Sequence, residues 1–152
     1  MIHTMIADDY AGEIQPHLLV EAAQSVVDLQ DVDPTAEVTI VIEGDETLRD
    51  LNRQFLQIDA PTDVLSFPAN EVDPDTGLKY LGDIVISYPR AVEQAQSSGE
   101  KIADELRLLV IHGFLHLIGF DHADEAGKSA MWTAQRQALN SLGITIHHLP
   151  ET

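Results

Sequence analysis

A chain of 152 residues suits a single domain, 1–152, that buries roughly 70% of the surface its unfolded form exposes. It has no cysteine, which excludes disulfides and thiolate zinc sites. It also has neither a basic-plus-apolar leader nor an apolar run near the ~20 residues that span a membrane, so a soluble cytoplasmic protein is expected. Its 26 acidic residues against 8 Lys and Arg give a formal net charge of -18, the wrong sign for holding nucleic acid by electrostatics alone.

Residues 14–29 carry Leu18, Ala22, Val26 and Leu29 at helical spacing, with Pro16 where a first turn accepts it. Residues 38–42 alternate like a strand, and Gly44 with Asp45 can cap a helix running to Leu56 whose inward stripe is Leu48, Leu51 and Phe55. Residues 63–67 read as a second strand, closed by Pro68. Residues 69–80 hold Pro74, Gly77 and several acids, the composition of an exposed loop, before Ile84, Val85 and Ile86 make another strand. Pro89 and Gly99 bracket a short helix. From 102 to 118 apolar residues cover nearly the whole circumference, as expected of a central buried helix. Residues 124–142 place Met131, Ala134, Ala138, Leu139 and Leu142 on one side of a last helix, and Gly143 ends it. No repeat or linker divides the chain. The expectation is an α+β fold, a mixed sheet packed with helices, with the strand order left open.

The buried helix carries the chemistry. His112 and His116 are four residues apart, so both can face one ion, and Gly119 can take the left-handed conformation that reverses the chain and returns His122 toward them. Three imidazoles are one ligand short of tetrahedral zinc, and the open position is what distinguishes catalytic from structural sites. A single Zn2+ at His112, His116 and His122 is therefore expected. Of the other histidines, His3 and His17 show no such spacing, and the adjacent His147 and His148 could act as surface ligands. The same spacing belongs to the long metzincin peptidase motif, which has a glutamate after its first histidine. Here that position is Gly113, so the general base for peptide hydrolysis is missing. Asp121, beside the third histidine, can be a base or a carboxylate that orients a ring, the second being commoner for such a neighbour. The phosphate-binding loop, the dinucleotide glycine fingerprint and the serine-hydrolase elbow are absent.

Three blocks together, His112 to His122, Pro61-Thr62-Asp63-Val64-Leu65-Ser66-Phe67-Pro68, and Leu81-Gly82-Asp83-Ile84-Val85-Ile86, resemble the YbeY family of bacterial endoribonucleases and ribosomal RNA maturation factors. The resemblance implies a zinc-dependent, single-strand-specific endoribonuclease that matures the 3′ end of small-subunit ribosomal RNA and takes part in ribosome quality control. One departure stands out. The family's arginine, six residues before the threonine of the Pro-Thr block, is Leu56 here. Arg53 and Arg49, earlier on the same helix, could supply a displaced guanidinium for the phosphate. Ser66 and Asp83, at strand ends, could line the cleft, turn-forming or capping roles being equally open.

The expected reaction is attack of a metal-activated water on a phosphodiester of single-stranded RNA, with attack by the ribose 2′-hydroxyl as the other route. A local positive patch built by the metal, Arg49 and Arg53, or a protein partner that delivers the RNA, would offset the acidity, and adaptation to high salt is a third, less favoured, explanation. Two other readings stay open: a ribosome-associated binding module with structural zinc, and a small zinc peptidase-like hydrolase.

Overall fold

A computed structural model of the chain describes residues 1–146 and 148–151. Its organising feature is α4 (Ile102–Leu117), whose Leu108, Leu109, Val110, Ile111, Phe114 and Leu115 are wholly inaccessible to solvent. Such a helix needs apolar neighbours on every side, and it has them: a sheet on one flank, α1 (Pro16–Leu29) and α5 (Glu125–Ser141) on others, and α3 (Tyr88–Ser98) along its first turns.

The described residues form a four-stranded sheet in the order β1-β2-β4-β3, with β1 (Ile2–Ile6), β2 (Glu37–Glu43) and β4 (Lys79–Ser87) parallel and β3 (Val64–Val72) antiparallel to β4. Strand alternation sorts the side chains. Val38, Ile40, Ile42, Ile84, Ile86 and Val64 face α4 and join the main core. Val41, Val85, Leu65 and Phe67 face the other way, under Leu48 and Leu51 of α2 (Asp45–Leu56). The predicted α+β class, mixed sheet and central buried helix are thus present.

Four local expectations differ. β1 was not foreseen, because its two isoleucines gain meaning only when paired with β2 in the register Ile2↔Val38 to Ile6↔Ile42. Pro68 does not close β3, which runs on to Val72. β3 is an edge strand, where a missing N–H need not interrupt a ladder, and the register shifts between Pro68 and Glu71 with Asn70 at φ +50°. The predicted loop 69–80 therefore shrinks to a hairpin turn in which Asp73 accepts from the backbone N–H of Asp75 at 2.8 Å. Phe55 is not inward: it is 59% exposed, its ring in an edge-type contact with that of Phe67 on the edge strand. Along α1 the buried stripe is Leu19, Ala22, Ala23 and Val26, and Leu29 is exposed.

Candidate metal centre

α4 ends in a Schellman motif, the 6→1 and 5→2 pair of bonds that closes a helix on a left-handed residue. Phe120 N–H donates to the Leu115 carbonyl at 3.0 Å and Gly119 N–H to the His116 carbonyl at 3.1 Å, with Gly119 at φ +104°. This reversal brings Asp121 and His122 back across the helix end. The ring centroids of His112 and His116 are 4.8 Å apart, and that of His122 lies 6.0 and 5.3 Å from them. One ligand nitrogen from each of the three lies within 4.8 Å of the others, so His112, His116 and His122 are positioned to hold a metal ion.

The protons on these rings are directed by their partners. The Gln135 amide oxygen accepts from His112 Nδ1 at 3.0 Å, and the Phe120 carbonyl accepts from His116 Nδ1 at 3.1 Å. Each acceptor keeps hydrogen on Nδ1 and leaves the ligand lone pair to Nε2. His116 Nε2 is buried and has no hydrogen-bond partner among the described residues, a costly arrangement unless a cation takes that lone pair. Burial, and next the charge on His122, hold the His116 ring below its ordinary pKa, against the opposing pull of the Phe120 carbonyl and Asp121. A neutral ring is the form a metal requires. Three neutral imidazoles with a lone pair turned to a common point fit a borderline divalent ion.

Two residues of α5 complete the centre, and sequence reasoning missed both. Gln135 is a buried polar residue among Met131, Ala134, Ala138 and Leu139, a break in an apolar face that was the available signal. Trp132 lies nearly parallel to two of the rings, 5.9 Å from His112 and 5.5 Å from His122 by centroids. It forms the α5 wall of the site.

A cleft of about 430 Å³ opens beside His116, lined by Leu56, Ser66, Pro68, Gly119, Phe120 and Asp121 among others. Ser66 points into it from β3 and donates to the Gly113 carbonyl at 2.7 Å, tying the edge strand to the metal helix. Gly113 is packed against the sheet: a Cβ there would come 2.6 Å from Ile84 Cγ2 and 3.2 Å from Val64 Cγ2. The glutamate of the peptidase motif therefore has no room on this helix.

The remaining candidates are placed as follows. Asp121 is exposed on the cleft wall, with Oδ1 accepting from the His122 backbone N–H at 2.8 Å. Arg53 pairs with Asp50 at 3.0 Å and Arg49 with Asp59 at 2.7 Å, both on the exposed face of α2, and neither lines the cleft. Asp83 lies within β4 opposite Phe67, on the α2 face of the sheet, and takes the hydroxyl of Tyr80, so it does not line the cleft. His148 Nε2 is 2.6 Å from the buried Glu105 carboxylate, so it is not a surface ligand, and His147 lies outside the described residues.

A sheet-backed helix offering two histidines, with a third returned by the turn that ends it, defines an α+β domain with three histidines positioned to hold a metal ion. A solution structure of TM1509 from Thermotoga maritima shares the fold, with a TM-score of 0.58 over 94% of this chain and 92% of that one at 24% identity. The family described as Endoribonuclease YbeY matches residues 7–143. Curated relatives under that name include one from Moorella thermoacetica, 40% identical over 150 residues and covering 94% of this chain and 96% of its own. Another, from a Synechococcus strain, is 43% identical over 119 residues, 74% of this chain and 73% of its own. The chain belongs to the endoribonuclease YbeY family, which supports an endoribonuclease role, a hydrolase acting on RNA. No helix among the described residues is long and apolar enough to cross a membrane.

Proposed function

We propose that this chain, as one domain over 1–152, is a zinc-dependent, single-strand-specific endoribonuclease of the cytoplasm, acting in small-subunit ribosomal RNA 3′ maturation and ribosome quality control. The observation that carries the reading is the convergence of His112, His116 and His122 on one point beside an open cleft, in a member of an endoribonuclease family.

A zinc ion, when bound, supplies Lewis-acid chemistry that makes a water more acidic and polarises a phosphate oxygen. The protein's own part is preparation. His112 and His116 present Nε2 because Gln135 and the Phe120 carbonyl hold their Nδ1 protons, and His122 completes the set from the returning turn. Trp132 closes one side against solvent, so charges in the site are screened less. Asp121 has one carboxylate oxygen left to accept a proton at the cleft wall, which makes it the residue here for general-base work. Arg53 reaches a phosphate only by leaving Asp50, an exchange of one exposed ion pair for another that costs little. Single-stranded RNA is the substrate, and ribosomal proteins are the partners that would deliver it to so acidic a chain.

One observation favours a second reading, a ribosome-associated module whose zinc is structural: Leu56, 52% exposed, fills a stretch of cleft wall with an apolar side chain where the resemblance calls for an arginine. Cleavage of a single-stranded ribosomal RNA fragment by protein of known metal content, beside His116→Ala and a chelated sample, separates the two. Loss of cleavage in both controls supports the nuclease. No turnover by fully metallated protein, with or without ribosomal partners, favours the module.

A further inference from the structure

The chain has eight basic residues, and four of them are spent on ion pairs: Arg49 on Asp59, Arg53 on Asp50, Arg90 on Asp45 and Glu151, and Arg107 on Asp104. Among the described residues the other four, Lys79, Lys101, Lys128 and Arg136, have no ion-pair partner. Two of these are remote. Lys101 caps the start of α4, about 22 Å along the axis from His116, and Lys79 opens β4 beside its hairpin turn. The other two, Lys128 and Arg136, stand on α5 four residues before and four after Trp132. Residues at that spacing share a helix face, so Lys128, Trp132 and Arg136 form one stripe about 12 Å long. Its middle member is the residue that lies against His112 and His122.

The stripe is exposed at both ends. Arg136 also borders a cavity of about 380 Å³ shared with Trp132, Asn140 and His148. Of the acids nearest Lys128 in sequence, Glu125 stands three residues before it on α5 and makes no ion pair with it among the described residues, Asp124 accepts from the Gly127 N–H at 2.6 Å, capping α5, and Asp121 accepts from the His122 N–H at 2.8 Å. In a chain of net charge -18, leaving two cations unpaired on either side of the metal-binding rings keeps them available to an anion. The anion that fits is a repeating one, because two cations on one line flank a third, central site.

The geometry points to α5 as the backbone track for single-stranded RNA: Lys128 and Arg136 hold phosphates on opposite sides of the scissile one, which sits at the histidines beside Trp132. The inference rests on the nuclease reading and adds the surface that positions the strand. Arg136 offers a forked guanidinium for two phosphate oxygens, and Lys128 a compact point charge. Neither touches the reacting atoms, so both are positioning residues.

Each phosphate contact on a single strand contributes about 0.7 to the slope of log affinity against log salt. Binding of a fluorescein-labelled single-stranded RNA of mixed sequence, followed by anisotropy over a salt series with the full chain, reads that slope. Lys128→Ala/Arg136→Ala should lower its magnitude by about 1.4. Lys79→Ala/Lys101→Ala removes the same net charge and should leave the slope close to that of the parent chain. Lys128→Arg/Arg136→Lys should restore it, which a folding defect would not allow. Equal slopes in the two alanine pairs would mean that only the general field acts, and the track would be wrong. Cleavage by the parent chain with an unchanged slope in Lys128→Ala/Arg136→Ala overturns the track and leaves the nuclease standing. A parent chain that neither cleaves nor binds RNA in a salt-dependent way, while binding an acidic ribosomal protein, overturns both.

Discussion

Gln135 on α5 holds His112 on α4 through a 3.0 Å hydrogen bond that joins residues 23 apart in the chain. Both side chains are buried, so the amide has no water to turn to, and the imidazole's tautomer is set by a neighbour that touches no substrate. The same bond ties the orientation of α5, and with it Trp132, to the ligand set.

Gln135→Leu removes the acceptor while keeping volume, so His112 can carry its proton on either nitrogen. Metal affinity should fall by about 10- to 100-fold, in line with the loss of other outer contacts to ligating histidines. Competition with a chromophoric chelator measures this directly. Gln135→Glu keeps an acceptor and should retain most of the affinity. Equal affinity in the Leu variant would mean that the bond does not set the tautomer.

Gly113→Glu, which rebuilds the peptidase motif, should not confer peptidase activity. Its Cβ alone would sit 2.6 Å from Ile84 Cγ2, in a core where the stiff isoleucine cannot swing away, and the carboxylate would follow into the sheet. Overpacking costs about 1–3 kcal/mol before the buried charge is counted. At about 2–4 °C of Tm per kcal/mol, thermal denaturation should register a loss of several degrees. An unchanged Tm would mean that the Ile84 side chain gives way to the added Cβ without cost.

The convergence of the three histidines was legible in the sequence because its signal is local. His112, His116, Gly119 and His122 lie within a turn and a half of helix and one reversal, and four-residue spacing with a left-handed glycine specifies their geometry without tertiary information. The central helix was legible for a related reason, since an all-apolar circumference has one explanation. Gln135 and Trp132 were not, because they act on His112 from 23 and 20 positions further along the chain and look like an ordinary part of an amphipathic helix until α5 is docked. β1 and the far half of β3 failed for the same cause: an edge strand with a proline or two isoleucines carries little pattern of its own, and pairing decides it.

Bound metal should raise thermal stability by mass action, because the three ligands converge only in the folded chain. A free ion at 100 times its Kd adds about 2.7 kcal/mol. A chelated sample should melt lower than one refilled with zinc, and His116→Ala should abolish that increment, since it removes one of the three converging nitrogens, while lowering the chelated Tm by what the lost bond to the Phe120 carbonyl contributes. Zinc, nickel and copper scanned in parallel would rank the ions the site accepts. No metal-dependent shift in the parent chain at any of them would count against a preformed centre.

Glu105, in the first turn of α4, is wholly buried against His148 at 2.6 Å. Burial pushes its carboxyl above the ordinary value of 4.5, His148 pulls it down, and Asp63 and Glu100 push it further up. A carboxyl raised on folding favours the folded state in full below 4.5, and that contribution is lost as pH rises through the raised value. At neutral pH the charged form is therefore a burden on the fold. Glu105→Gln keeps the shape without the charge, so its stability relative to the parent chain should grow as pH climbs from 4 to neutrality and then level off. Urea midpoints taken at several pH values measure the difference. A constant gap across that range would mean that the His148 pair cancels the burial, and Glu105 would then titrate as it does in the unfolded chain.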